Sequence, residues 1–126
     1  MATATLGPTG YAVTVQSGRH RLAADEPESS GGTDTGPTPL GLLLAALASC
    51  TAITLRMYAD RKGWPLAGAE VAARLLPDDA GGHIERTITL TGDLAADQRQ
   101  RLGEIADRTP VTRIVAAGRK ITTTIR

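Results

Sequence analysis

The chain has 126 residues, near the commonest size of a single domain, so composition leads to the expectation of one unit, residues 1–126, around one hydrophobic core. With 14 Lys+Arg against 13 Asp+Glu the formal net charge is +1, which excludes the electrostatic footprint of a nucleic-acid or anionic-membrane binder. A single cysteine excludes an internal disulfide, and with no opening stretch resembling a secretory leader the expected location is the cytoplasm.

Tyr11, Val13 and Val15 alternate with Ala12, Thr14 and Gln16, the period of two of a half-buried strand, and Ser17-Gly18 can turn the chain back through Arg19 to Ala24. The chain is thus expected to open with a hairpin. Residues 25–37 are polar, glycine-rich and bounded by Pro27 and Pro37, which reads as a long ordered loop. Thr38-Pro39 supplies an N-cap and a first-turn proline, and the helix it starts should run to Lys62 and stop at Gly63. Its run Leu40 to Leu55 is apolar on every side, shorter than the ~20 residues a bilayer core demands, and reads as a buried helix. Too little chain remains to cover it all round, so a homodimer burying these helices is expected.

Further on, Val71, Ala73 and Leu75 alternate with polar or small residues, the turn Asp78 to Gly82 follows, and Ile84, Ile88 and Leu90 then share one face of a second hairpin. A helix from about Ala95 to Asp107 should bury Leu102, Ile105 and Ala106. Thr109-Pro110 repeats the capped start for a short helix ending at Gly118, and Ile121, Thr123 and Ile125 read as a final strand. The fold class is α+β, with element order ββαββααβ.

Cys50 carries the most distinctive chemistry. Spacings of three, four and seven place it on one helix face with Leu43, Ala46, Leu47, Ile53, Thr54 and Met57. It can be a small buried hydrophobe. Alternatively it is a nucleophile, which requires the thiolate; mid-helix no helix terminus favours the anion, so Arg19, Arg21, Arg56 or Arg113 would have to. His20, His83 and Cys50 are too scattered for a tetrahedral metal site, and no cofactor is expected. Gly31 to Gly36 lacks the Gly-Lys-Ser/Thr ending of a phosphate loop.

Several stretches match a known pattern in order and spacing: His20-Arg21-Leu22-Ala23-Ala24-Asp25-Glu26-Pro27, Gly31 through Pro39, Leu44 through Ala59 around Ser49-Cys50-Thr51, Gly92-Asp93-Leu94 with Gln98-Arg99, and Ile105 through Arg113. Together they resemble the OsmC/Ohr family of osmotically inducible protein C-like proteins, from about residue 19 to the end of the sequence. The resemblance implies antiparallel sheets packed around a long central helix in an intertwined homodimer, with a cysteine thiolate that reduces organic hydroperoxides. It places the peroxide-attacking cysteine on Cys50. The family's second, resolving cysteine falls on Thr109, and a carboxylate that holds an activating arginine falls on Leu40. The chain is a variant without the resolving sulfur.

The resulting expectation is a thiol-dependent peroxidase acting in oxidative-stress defence, with Cys50 as the reacting thiol and an external thiol or dithiol as reductant. Arg19, Arg56 and Arg113 are the candidate cations. Leu40, Leu43 and Leu47 are the candidate substrate contacts for an organic hydroperoxide or other small apolar ligand. The rival expectation is an inactive family member that binds a small apolar ligand at the dimer interface. Neither nucleic acid nor membrane is expected as a partner.

Overall fold

The structure, a computed structural model, describes all residues from Met1 to Arg126. The α+β class holds, and the chain forms two compact units, Met1–Leu44 and Ala45–Arg126.

In the first unit three strands, β1 (Ala2–Leu6), β2 (Val13–Ser17) and β3 (His20–Ala24), form an antiparallel sheet in that order. The hairpin of β2 and β3 was expected; β1 was not. It pairs from Ala2 opposite Ser17 to Leu6 opposite Val13, so the chain opens with a strand added to the hairpin. The loop after β3 is ordered around one carboxylate. Asp25, 2 % exposed, accepts from the Glu26 amide at 2.7 Å, from both hydroxyls of Thr33 and Thr35 at 2.8 Å, and from their amides at 3.3 and 3.1 Å. Those hydrogen bonds, chiefly from the two threonines, hold the Asp25 carboxyl well below the usual carboxylate range. Gly32 is needed here because a Cβ would sit 1.9 Å from the Glu26 carbonyl oxygen.

The long helix α1 (Pro39–Lys62) begins as anticipated, with the Gly41 amide donating to Thr38 Oγ1 at 3.0 Å. It ends at Gly63, which has φ of 67° and whose neighbour Trp64 donates its amide to the Ala59 carbonyl at 2.9 Å. At 24 residues with a mean hydropathy of 1.8 over its most apolar window, α1 is long and apolar enough to cross a bilayer by length and composition. The helix that contains Leu40 to Leu55 is therefore not too short to span one, contrary to expectation. Within a single chain only Leu47, Thr51, Leu55 and Ala59 of the helix are buried, as expected of a helix that one chain is too short to cover all round. Their spacing of four marks one stripe packed against the helix's own chain, because one copy of the second unit can cover only one side of a cylinder.

The second unit continues with β4 (Leu66–Leu76) and β5 (His83–Gly92), an antiparallel hairpin, followed by α2 (Ala96–Ala106) and α3 (Pro110–Ala117). Leu55, Ala59, Leu66, Leu94, Leu102 and Ala106 form its core, with Ile88 and Leu90 of β5 packed against them. The Ala95 amide donates to Gln98 Oε1 at 2.9 Å at the start of α2, and Thr109 caps α3 as expected. Residues 119–126 are not a strand, contrary to expectation. Ile121 and Ile125 are 87 % and 91 % exposed, and a strand needs a neighbouring edge that this segment does not find within its own chain.

Candidate functional site

Cys50 is half-buried on α1, one position before the fully buried Thr51 and three after the buried Leu47. At about 100° per residue its side chain lies beside the buried stripe rather than within it. The face it belongs to is apolar and open: Leu43, Ile53 and Met57 are 45 %, 59 % and 56 % exposed. The thiol therefore stands at a seam between packed core and uncovered apolar surface.

On the other side of that seam lies a polar cluster centred on Arg86. β5 alternates, so the inward phase of Ile84, Ile88 and Leu90 also carries Arg86, whose side chain is only 14 % exposed. A buried guanidinium must be hydrogen-bonded. Its Nη1 donates to Thr51 Oγ1 at 3.1 Å and to Thr112 Oγ1 at 2.8 Å, and its Nη2 donates to Asp107 Oδ1 at 3.1 Å. The Thr51 hydroxyl in turn donates back along α1 to the Leu47 carbonyl at 2.7 Å. Thr112 shares a hydrogen bond of 2.7 Å with Thr109 Oγ1. One side chain of β5 thus ties α1 to the segment that joins α2 and α3. Beside it opens a cleft of about 690 Å³ whose lining includes Leu47, Leu75, Ile84, Arg86, Thr112, Val115 and Asp107.

Of the residues singled out from sequence, Thr109 is fully buried, and its hydroxyl accepts from the Thr112 amide at 3.4 Å. That cap bond accounts for the residue structurally. Leu47 is buried and lines the cleft, whereas Leu40 and Leu43 are each 45 % exposed on α1, so the three do not form one pocket. Arg56 faces about 120° from Cys50 on the helix and donates to the carbonyls of Leu66 and Ala67, with Asp60 3.8 Å away. It braces the start of β4. Arg113 is exposed in the first turn of α3, and Arg19 and Arg21 are exposed in the first unit. None of these four is a hydrogen-bond or ion-pair partner of another site residue through its side chain. Arg86 was passed over in the sequence, although a charged residue in the apolar phase of a strand was the available signal.

A lone thiol at the edge of a buried helical stripe, on an α+β scaffold of two antiparallel sheets and a long helix, defines a class of small proteins with a central-helix cysteine. The family model for OsmC-like protein matches residues 32–124, and the chain belongs to that family. Among curated proteins none matches its sequence. The OsmC-like protein of Mycoplasma pneumoniae is similar in structure, with a TM-score of 0.78 at 19% identity over 94% of this chain and 87% of that one. The organic hydroperoxide resistance protein OhrB of Bacillus subtilis has a TM-score of 0.62 at 23% identity over 94% of this chain and 90% of its own. An organic hydroperoxide resistance protein of Vibrio cholerae, crystallised with captopril in one of its active sites, has a TM-score of 0.66 at 20% identity, covering 94% and 85%.

Proposed function

We propose that the protein reduces organic hydroperoxides through Cys50 in a cycle with one protein cysteine and an external thiol or dithiol. The observation that carries this reading is the place of the only cysteine: half-buried on the central helix of an OsmC-family chain, beside an open apolar flank suited to an alkyl group. The Cys50 thiolate attacks the outer peroxide oxygen, the O–O bond breaks, and the alkoxide leaves and takes up a proton as the alcohol. Cys50 is left as a sulfenic acid. With Thr109 where a second sulfur would stand, an external thiol condenses with the sulfenic acid, releasing water and giving a mixed disulfide. A second thiol then restores Cys50 and departs as the reductant's disulfide.

In this reading the cation that favours the thiolate is Arg113, exposed in the same unit and without a hydrogen-bonded side-chain partner, in preference to the engaged Arg56. A second copy of the chain covers the apolar flank of α1 and the exposed Ile121 and Ile125, and Leu40 and Leu43 contact substrate within that assembly. Consumption of cumene hydroperoxide in the presence of a dithiol, measured beside a Cys50→Ser control, tests the proposal. Turnover that vanishes in the control is expected; equal consumption by both proteins would end it.

A further inference from the structure

The cleft beside Arg86 is built entirely within Ala45–Arg126 and does not require the Cys50 sulfur. Its volume of about 690 Å³ falls within the ~300–1,000 Å³ typical of small-molecule sites. Leu47, Leu75, Ile84, Val115 and Ala116 give it aliphatic walls without an aromatic ring. Arg86, Thr112 and Asp107, joined by hydrogen bonds, gather polar lining at one place. His83 also borders the space, but its Nδ1 lies 3.0 Å from Asp78 Oδ2, a hydrogen bond made outside the cluster.

Arg86 is under-compensated in this setting. Its side chain is 14 % exposed, its two deep partners are neutral hydroxyls, and its only anionic partner, Asp107, is 82 % exposed and therefore screened by water. A guanidinium has five N–H donors, and three hydrogen bonds from Arg86 are present, made by Nη1 and Nη2. Nε–H and one Nη2–H are left without a partner, and a guanidinium can present its Nε and Nη2 donors together to the two oxygens of a carboxylate. The site favours a single negative charge. Asp107 already takes one Nη2 hydrogen bond, no lysine lines the cleft, and the first turn of α3 is capped by Thr109, so a doubly charged phosphate would be poorly neutralised.

We propose that this cleft is a binding site for an aliphatic monocarboxylate, with the carboxylate on the unpartnered donors of Arg86 and the chain along the walls of Leu47, Leu75, Ile84 and Val115. Asp107 then acts as a competing anion at the rim. The assignment is independent of whether Cys50 reacts with peroxides.

The test is calorimetric titration of the full chain with octanoate and, separately, octan-1-ol, which has the same alkyl chain without the charge. Octanoate should bind about tenfold more tightly than the alcohol, the effect of a charge-assisted hydrogen-bonded pair. Arg86→Gln should remove that preference, Ala116→Trp should abolish binding of both by filling the cleft while leaving the Arg86 contacts alone, and Asp107→Asn should tighten octanoate binding. Cys50→Ser should bind octanoate as the unaltered protein does, which separates this site from the proposed peroxide chemistry. Equal affinity for acid and alcohol in the unaltered protein, binding of neither, or octanoate binding that survives Ala116→Trp in a folded protein would overturn the proposal.

Discussion

Replacing Thr51 by Val removes one hydroxyl from beneath Arg86 with almost no change in volume, and the consequence follows from the contacts. Thr51 is fully buried and accepts from Arg86 Nη1 at 3.1 Å, while Arg86 itself is 14 % exposed, so no water of comparable quality replaces the lost acceptor. A hydrogen bond from a charged donor contributes about 1.5–3 kcal/mol, and Thr51→Val should cost about 2 kcal/mol. Arg86→Met behaves differently. It forfeits the bonds to Thr51 and Thr112 but also relieves the desolvation of a guanidinium, and its exposed partner Asp107 contributes little, so the net loss should be only about 0–2 kcal/mol. Once Arg86 is gone the Thr51 acceptor has no charge to serve. The double variant should therefore be less destabilised than the sum of the singles by about 1.5 kcal/mol. Urea denaturation at fixed protein concentration, followed by fluorescence of Trp64, which packs edge-on to Tyr58 at 5.5 Å in the same unit, reads out all four proteins. Additivity within about 0.3 kcal/mol would refute the assignment of Arg86 as the tie between β5 and α1.

Asp25 should remain ionised far into acid. Because its carboxyl is depressed on folding, its contribution to stability is complete above the unfolded value of about 4 and is lost only as pH falls through the lower folded value. The amide chemical shifts of Thr33 and Thr35 should stay constant through pH 4; a midpoint there would contradict the hydrogen-bonded carboxylate. Leu102→Ala, at a fully buried core position, should cost about 2–5 kcal/mol. Ile121→Ala, at a residue 87 % exposed in the single chain, should cost under about 0.5 kcal/mol in a monomer, and a loss well above that with rising dependence on protein concentration would mark the tail as part of an assembly. Thr109→Cys should form a disulfide with Cys50 after treatment with peroxide, seen as the loss of both free thiols on mass spectrometry; a folded variant that keeps two thiols would show that the positions are not neighbours.

The elements most legible in the sequence were those with local signals. Thr38-Pro39 and Thr109-Pro110 mark helix starts by cap chemistry alone, and the structure begins α1 and α3 there. Strand β1 was missed because Ala2-Thr3-Ala4-Thr5-Leu6 alternates small and β-branched residues without the apolar contrast that reveals a half-buried face; all five are exposed. The tail from Ile121 to Ile125 has that contrast and yet is no strand, since pairing is set by an available edge rather than by alternation. At the site, Cys50 stood out as the only thiol. The Arg86 cluster joins residues 35 and 26 positions apart, so the sequence could show only that a charge occupied an apolar phase.

Reaction of Cys50 with a hydroperoxide is the step on which the functional reading turns, and it can be observed without any reductant. The protein is exposed to one equivalent of cumene hydroperoxide, quenched with a sulfenic-acid trap, and mapped by peptide mass spectrometry. Rapid, stoichiometric trapping at Cys50 with matching release of cumyl alcohol is the expected result. A Cys50 that remains a free thiol while the hydroperoxide persists would contradict the account.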